Sequence, residues 1–281
     1  MSNEITTYEP DNSLKKGYIS IVSELISEII QNRWLTYQLF RRDFFSMYKQ
    51  SVIGILWVVI LPIVNVATFL MLSRSGIFNV GDIRIPYPLY AILGMAFWQI
   101  FSTGIIACAN SLSNAGDMVK RINFSKKSLV LAAMGKPIVS FFIQLILVAV
   151  LFIIYRIFPH PGILLLPFII IPLILLTLGF GLMVAILNAI IRDTGNFLSV
   201  ALTLFMYLTP VLYAKPKIGL LAQVTHYNPV YYYISAGRDL ALNGQIQELS
   251  GFLYSVVFSI LIFIFSLIVF HLTETRITER I

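Results

Sequence analysis

The chain alternates between long apolar stretches that are nearly free of charged residues and short polar connections. Six of these stretches approach the roughly 20 residues that a helix needs to cross the hydrocarbon core of a bilayer. We place these spans at residues 52–72, 89–111, 130–155, 163–191, 197–213 and 251–272. Because the apolar runs are continuous rather than alternating, they favour helices over the strands of a membrane barrel. The pattern predicts an all-α polytopic membrane protein with a six-helix transmembrane domain over residues 51–281.

Other segments are polar or amphipathic. Residues 1–18 are polar and are predicted to form a flexible cytoplasmic tail. Residues 19–50 place apolar side chains at three- and four-residue steps opposite charged ones, which is typical of a helix lying at the membrane interface. A soluble helix packed on a partner protein is the alternative for that segment. Residues 113–127 predict a short basic amphipathic helix between two spans, and residues 214–250 predict helices that dip partway into the bilayer.

Composition and charge agree with this class of protein. The chain is 58% hydrophobic and only 12% charged, whereas soluble proteins carry roughly 25% charged residues. A net charge of +7 can indicate nucleic-acid binding, but 14 of the 20 Lys and Arg residues fall on one side if the N-terminus is cytoplasmic. This bias follows the positive-inside rule. We therefore expect both termini in the cytoplasm.

The sequence carries few signs of catalysis or ion coupling. No acidic residue lies near the middle of a span, which argues against proton or sodium coupling. The histidines show no metal-ligand spacing, and no phosphate-binding GxxxxGK[ST] loop is present. Asn65 and Gln144 are the main polar residues within spans and are expected to form hydrogen bonds between helices. The single cysteine, Cys108, is expected to be a buried thiol.

Aromatic residues crowd the predicted outer ends of the spans. They are Trp98, Tyr207, Tyr213, Tyr227, Tyr231, Tyr232 and Tyr233. An aromatic belt at the membrane interface explains any one of them. A cluster of rings also suits sugar binding, because an aromatic face offers a large apolar area with a polar tip. Both interpretations stay open at this stage.

Several motifs resemble those of one family, the membrane subunits of type-2 ABC exporters of polysaccharides. The matching segments are RDFFSMYKQSVIGILWVVILPIV from Arg42, PYPLYAILGMAFWQIF from Pro86, RDTGNFLSVALTLFMYLTPVLY from Arg192 and YNPVYYYISAGRDL from Tyr227. They keep the family's order and spacing over residues 40–240. One departure lies in the second cytoplasmic loop, where the family commonly has FPR and this chain has Phe124, Ser125 and Lys126.

This resemblance implies a multi-pass protein of the bacterial inner (plasma) membrane that forms a homodimer around a central channel. A separate ATP-binding cassette subunit on the cytoplasmic face would bind ATP and Mg, and this chain itself would hold no cofactor or metal. The substrate would be a lipid-linked polysaccharide, such as an O-antigen of lipopolysaccharide, a capsular glycan or a teichoic acid. Residues 113–127 would contact the ATP-binding subunit as a coupling loop, and residues 214–240 would form a re-entrant outer gate.

The candidate site residues fall into four groups, and none of them is catalytic. The substrate path is assigned to Trp98, Tyr207, Tyr213, Tyr231, Tyr232, Tyr233 and Arg238. Contact with the lipid pyrophosphate, or equally with anionic headgroups, is assigned to Arg41, Arg42 and Lys49. Coupling to the ATP-binding subunit is assigned to Asn114, Asp117, Lys120, Arg121, Phe124, Lys126 and Lys127. Structural roles are assigned to Arg192, Asp193, Pro210, Asn228 and Pro229.

Two alternative functions remain open from the sequence. A type-2 exporter of a small drug or lipid would have the same architecture. A membrane enzyme of glycan assembly is the alternative from another class, although such an enzyme would usually show clustered acidic residues for a metal-bound sugar nucleotide.

Overall fold

The computed structural model describes residues 25, 27–48, 54–75, 81, 83, 85–115, 125–191 and 193–277. Within these ranges the chain is helical and contains no strand. The helices are α1 (Arg33–Tyr48), α2 (Trp57–Arg74), α3 (Tyr87–Asn114), α4 (Lys127–Ala133), α5 (Gly135–Ile154), α6 (Leu166–Ile190), α7 (Thr194–Leu208), α8 (Leu220–Tyr227), α9 (Pro229–Leu242) and α10 (Leu249–Ile277). Short 3₁₀ turns at Gly54–Leu56 and Pro161–Leu165 precede α2 and α6.

Four helical segments in the described part of the chain are long and apolar enough to cross a membrane. They are Tyr87–Asn114, Lys127–Ile154, Pro161–Ile190 and Leu249–Glu274. The other two predicted spans correspond to shorter apolar helices, Trp57–Leu72 and Thr194–Leu208. At 1.5 Å per residue, such helices are shorter than the roughly 30 Å hydrocarbon core. The all-helical membrane architecture is confirmed.

Helix α3 lies at the centre of the bundle. It packs against α6 and α5 along its length and against α9 near its N-terminus, while α10 covers the far side of α6. Close approach of α3 and α6 depends on a small residue, because a Cβ on Gly181 would lie 2.7 Å from the Cβ of Cys108. Cys108 is fully buried there, as expected. Tight packing through small residues is the usual way in which helices associate in membranes.

The predicted third span, 130–155, is interrupted near its N-terminal end. Helix α4 ends at Ala133 and α5 begins at Gly135. Pro137 has no amide hydrogen and cannot donate to the carbonyl of Ala133, so one continuous helix would lack this bond. A Cβ on Gly135 would also collide with the ring of Phe40 on α1. The absence of a side chain at Gly135 therefore lets α1 pack closely against the bundle.

The fifth helix is shorter than predicted. The prediction extended it to residue 213, but α7 ends at Leu208. Thr209 is extended, with φ −102° and ψ 130°, because the residue before a proline is disfavoured in the helical conformation. Residues 209–213 therefore run as irregular backbone, and their carbonyl groups need partners other than a helix.

Residues 214–250 contain two helices, α8 and α9. Helix α9 is the more buried of the two and packs against α3 and α10. Its first turn begins with Pro229, and the side-chain oxygen of Asn228 accepts a 3.0 Å hydrogen bond from the amide of Val230. This is the usual pairing of a capping asparagine with a proline at the first helical position.

Candidate functional site

A line of polar side chains runs along the exposed side of α7. Asn196, Ser199, Thr203 and Tyr207 are all exposed and recur at three- and four-residue intervals. Such spacing places them on one face of the helix. The hydroxyl groups of Ser199 and Thr203 donate to the carbonyls four residues earlier, at 3.0 and 2.9 Å. Of these four residues, only Tyr207 was a candidate from the sequence, although the spacing of the polar residues was visible there.

The neighbouring helices extend this polar line into a face. Asn65 and Thr68 are exposed on α2, and Thr103 is exposed on α3. Helices α2 and α7 both contact α3, and the rings of Phe69 and Tyr207 lie 6.5 Å apart. We call the set Asn65, Thr68, Thr103, Asn196, Ser199, Thr203 and Tyr207 the polar face.

The polar face is poorly suited to contact with lipid tails. A serine or threonine hydroxyl can use a backbone carbonyl of its own helix, but the carboxamide of Asn65 has more donors and acceptors than that arrangement serves. Unpaired polar groups in hydrocarbon are costly. The face is therefore expected to meet water, a polar solute or another chain. The expectation that Asn65 bonds a neighbouring helix is not met, because its side chain points outward.

Gln144, in contrast, forms the expected contact between helices. Its side-chain nitrogen donates to Oε1 of Gln99 on α3 at 2.6 Å. Gln144 is fully buried, and its own side-chain oxygen has no hydrogen-bond partner. The pair joins α3 and α5 inside the bundle.

The predicted substrate-path aromatics divide into accessible and buried residues. Tyr207 is 50% exposed, and Tyr213 is partly exposed and donates its hydroxyl to the carbonyl of Tyr207 at 2.6 Å. Trp98 is buried between Phe101 and Phe205, at ring distances of 5.8 and 5.9 Å. Within one chain, Tyr207 is part of the polar face, Tyr213 bonds it, and both are accessible. Trp98 is buried and packs against Phe205 of α7.

The three consecutive tyrosines of α9 are buried, and each hydroxyl has a separate partner. Tyr231 bonds Glu248 at 2.8 Å, Tyr232 bonds the carbonyl of His226 at 2.8 Å, and Tyr233 bonds Ser259 at 2.7 Å. The structure therefore does not bring them onto one open surface with Tyr207. Any role in the substrate path would act through the position of α9.

Arg238 and two tyrosines hold the irregular segment 209–213 in place. The guanidinium group of Arg238 donates to the carbonyls of Tyr90, Pro210 and Val211, and its carbon lies 3.5 Å from the centre of the Tyr90 ring. The next two carbonyls, of residues 212 and 213, accept 3.0 Å bonds from the hydroxyls of Tyr87 and Tyr90. Four consecutive carbonyl groups are thus satisfied by side chains of α3 and α9.

Two further residues stabilise the turn at residues 209–213. The side-chain nitrogen of Asn228 donates to the hydroxyl of Thr209 at 2.8 Å. A Cβ on Gly94 would collide with the Arg238 guanidinium and the Val211 carbonyl. The turn after α7 is therefore fixed against α3 at the end where the exposed tyrosines lie.

At the opposite end of the bundle, Lys127 joins three parts of the chain. Its ammonium group lies 2.7 Å from Glu28, in a helical segment before α1, and 2.9 Å from Glu274 on α10. His271 Nδ1 lies 3.2 Å away, and the amide of Lys126 donates to Glu274 at 2.6 Å. We call Glu28, Lys127, His271 and Glu274 the charged clamp.

The charged clamp affects how the predicted coupling residues are interpreted. Lys127 is 1% exposed and Lys126 is 8% exposed, so a role of either in coupling would act through these internal contacts. Asn114 is exposed at the end of α3. The other predicted coupling residues lie outside the described residues: Asp117, Lys120, Arg121 and Phe124.

The remaining predicted site residues lie near the start of the chain and at the α6–α7 junction. Arg41 and Arg42 are exposed on α1, and Arg42 forms a 2.8 Å ion pair with Asp43. Lys49 and Arg192 lie outside the described residues, and Asp193 is exposed before α7. The junction is instead held by Asn188, which donates to the carbonyl of Ala109 and accepts from the amide of Gly195, both at 2.9 Å.

No cluster of three or more His, Cys, Asp or Glu residues that could hold a metal ion occurs among the described residues. The charged clamp pairs its carboxylates with a lysine instead. Burial raises the pKa of the Glu28 carboxyl. The hydrogen bond and charge of Lys127, together with Ser125 and His271, lower this pKa by more than burial raises it. The net pKa of Glu28 is therefore below its ordinary value.

The family model for the ABC-2 type transporter membrane protein matches residues 35–242. The chain belongs to the ABC-2 type transporter family. The match covers α2 to α9, which contain the polar face and the turn at residues 209–213, and most of α1. The resemblance found in the sequence motifs is thereby confirmed.

Curated relatives of this ABC-2 permease have a narrower description. This chain is 28% identical over 198 residues to the O-antigen export system permease protein RfbA of Myxococcus xanthus, and the alignment covers 69% of this chain and 74% of the relative. It is 26% identical over 245 residues to the protein of the same name from Klebsiella pneumoniae, covering 85% of this chain and 91% of the relative. A further Klebsiella pneumoniae RfbA is 27% identical over 226 residues, covering 77% and 86%.

Proposed function

We propose that this ABC-2 permease is the channel-forming subunit of an ATP-driven exporter, and that it moves a lipid-linked polysaccharide from the cytoplasmic side across the inner (plasma) membrane. The polar face carries this proposal, because a line of polar side chains on the exposed side of an apolar bundle suits a hydrated path. The names of the curated relatives support the choice of a polysaccharide substrate.

In this proposal the polar face forms one half of a channel. Two copies in a homodimer would place their polar faces opposite each other, so that the exposed amides and hydroxyls line the path instead of contacting lipid. Tyr207 and Tyr213 would offer ring faces to the sugars at the outer end. The 214–240 region would be a re-entrant outer gate, supported by the fixed turn at residues 209–213.

The energy would come from a separate ATP-binding cassette subunit that binds ATP and Mg on the cytoplasmic side, where both termini would lie. Movement of the 113–127 loop would reach α10 and the helical segment before α1 through the charged clamp, because Lys127 bonds Glu274 in the first and Glu28 in the second. Arg41, Arg42 and Lys49 would attract the pyrophosphate of the lipid carrier, since phosphate oxygens pair well with guanidinium groups.

An export assay on variants of the polar face tests this function. Thr203→Leu removes a hydroxyl from the middle of the face and should reduce the export of surface polysaccharide several-fold in a strain lacking the native gene. Thr203→Ser keeps the hydroxyl and should retain export. The measurement is surface polysaccharide per unit of permease in the membrane.

The same strain separates the proposal from its alternatives. Undiminished export by Thr203→Leu, at equal permease levels, would contradict a path along the polar face. Normal surface polysaccharide in a strain without the permease would contradict the substrate class itself.

A further inference from the structure

A cavity of about 680 Å³ lies between α1 and the cytoplasmic ends of α3, α4 and α5. It is separate from the charged clamp. Two of its residues, Arg42 and Asn114, were assigned to lipid-headgroup contact and to coupling from the sequence, whereas Lys136 and Asn110 were assigned no role. Its volume lies within the roughly 300–1,000 Å³ typical of small-molecule sites. The residues that matter for its chemistry are Phe40, Arg42, Ile106, Asn110, Asn114 and Lys136.

The cavity has an excess of positive charge. Arg42 and Lys136 contribute two positive charges, and Asp43, which pairs with Arg42 at 2.8 Å, contributes one negative charge. Among the described residues, the ammonium group of Lys136 has neither an ion pair nor a hydrogen bond. The cavity therefore presents a lysine that can pair with an anion without breaking an internal contact.

Neutral donors stand beside this lysine. The side-chain oxygen of Asn110 accepts a 3.2 Å bond from Asn188, which leaves its NH₂ group to donate elsewhere. Asn114 lies one turn further along α3 and also lines the cavity. A lysine with two amides is a donor set that suits phosphate oxygens.

The remaining wall of the cavity is apolar, and the helix that lines one side of it carries residues typical of the membrane interface. Phe40, Phe44, Ile106 and Leu129 line it. Trp34 and Tyr37, exposed on α1 at 68% and 51%, are residue types that collect at the membrane interface. A ligand with an anionic head and an apolar tail matches both halves of the cavity.

We propose that this cavity binds the phosphate of a membrane lipid, with Lys136 and Arg42 pairing with the phosphate and the amides of Asn110 and Asn114 donating to it. The apolar wall contacts the first part of the lipid tail. Two lipids share this chemistry, an anionic phospholipid and a polyprenyl pyrophosphate. With a polyprenyl pyrophosphate the proposal rests on the proposed function, in which Arg42 meets the lipid carrier; with a phospholipid it is independent of the transported substrate.

Native mass spectrometry of the purified full-length permease in detergent tests the site. The probes are phosphatidylglycerol, undecaprenyl pyrophosphate and diacylglycerol, which has no phosphate. Lys136→Gln should weaken binding of the preferred phosphate lipid roughly tenfold, the effect of losing a charged hydrogen bond. Tighter binding of phosphatidylglycerol assigns the site to bilayer lipid, and tighter binding of the pyrophosphate assigns it to a lipid carrier.

Arg33→Gln is the matched control, because Arg33 is also an exposed arginine on α1 but does not line the cavity. It should bind as the unmodified chain does. Ala107→Leu fills the cavity without changing any charge and should also weaken binding, while Lys136→Arg should retain it. These two variants cover the case in which Lys136→Gln does not fold.

Three results would overturn the site. They are equal binding of diacylglycerol and the phosphate lipids, equal losses in Arg33→Gln and Lys136→Gln, and unchanged binding in Ala107→Leu. Because purified protein is used without transport, none of them would bear on the export function.

Discussion

Lys127 shows how one buried charge can hold one end of a helical bundle together. Its side chain is 2% exposed and contacts carboxylates from residues 28 and 274, which are nearly 250 positions apart. Removing one member of a buried ion pair leaves the other charges without compensation. The lysine is therefore expected to stabilise the junction of α4, α10 and the helical segment before α1.

Replacing Lys127 with methionine should destabilise the permease by about 3 kcal/mol, because Glu28 and Glu274 would be left partly buried and unpaired. Thermal unfolding in detergent measures this change. The control is Lys215→Met, which removes a lysine from the more exposed pair with Glu248. A surface pair contributes about 1 kcal/mol or less, so equal losses in the two variants would contradict the role of the charged clamp.

The lowered pKa of Glu28 gives this junction a pH dependence. The carboxylate stabilises the fold at any pH above its ordinary value of 4.5, and the stabilisation decreases as the pH falls through the lower folded-state pKa. Glu28→Gln should flatten the stability profile below pH 4.5, as measured by unfolding at several pH values; an unchanged slope would contradict the assignment to Glu28.

At the scale of elements, the turn after α7 depends on a planar guanidinium group. Arg238 bonds three carbonyl groups at once, and lysine cannot reproduce that fork. Arg238→Lys should therefore lower thermal stability by about 2 kcal/mol, since buried carbonyls lose their partners. Arg156→Lys, at an exposed arginine, should have little effect. Equal melting of the two variants would show that the turn is held by other contacts.

The same elements show where sequence reasoning succeeded and where it could not. Helices α3, α6 and α10 were predicted within a few residues because their apolar runs have clear ends. The α4–α5 break and the early end of α7 arise from Pro137 and Pro210, which were visible in the sequence. Their effects depended on tertiary partners, Phe40 against Gly135 and Arg238 against the free carbonyls.

The sequence could not predict the distant contacts or which face of a helix is exposed, because both depend on tertiary packing. Glu28, Lys127 and Glu274 are brought together only by packing of the whole bundle, and no local pattern pairs them. The tyrosines of α9 were assigned to a path from composition, whereas the folded chain gives each hydroxyl an internal partner: Glu248, the carbonyl of His226 and Ser259. The polar line on α7 was present as a periodicity but needed the fold to show which side faces outward.

At the scale of the whole molecule, exposure in a single chain does not distinguish lipid from water. Thr203 on α7 and Ile146 on α5 are both exposed. In a channel formed by two polar faces, Thr203 would contact water, whereas Ile146 would contact lipid. Since the thiolate is the reactive form of cysteine and needs water to form, cysteine labelling can separate the two environments.

In a Cys108→Ala background, Thr203→Cys in membranes should react with a water-soluble maleimide much faster than Ile146→Cys does. Ser199→Cys, one turn away on the polar face, should resemble Thr203→Cys. Both comparisons are made after confirming that denatured samples of every variant label equally. Similar rates for Thr203→Cys and Ile146→Cys would place both helices against lipid, and the channel would then have to follow another surface of the bundle.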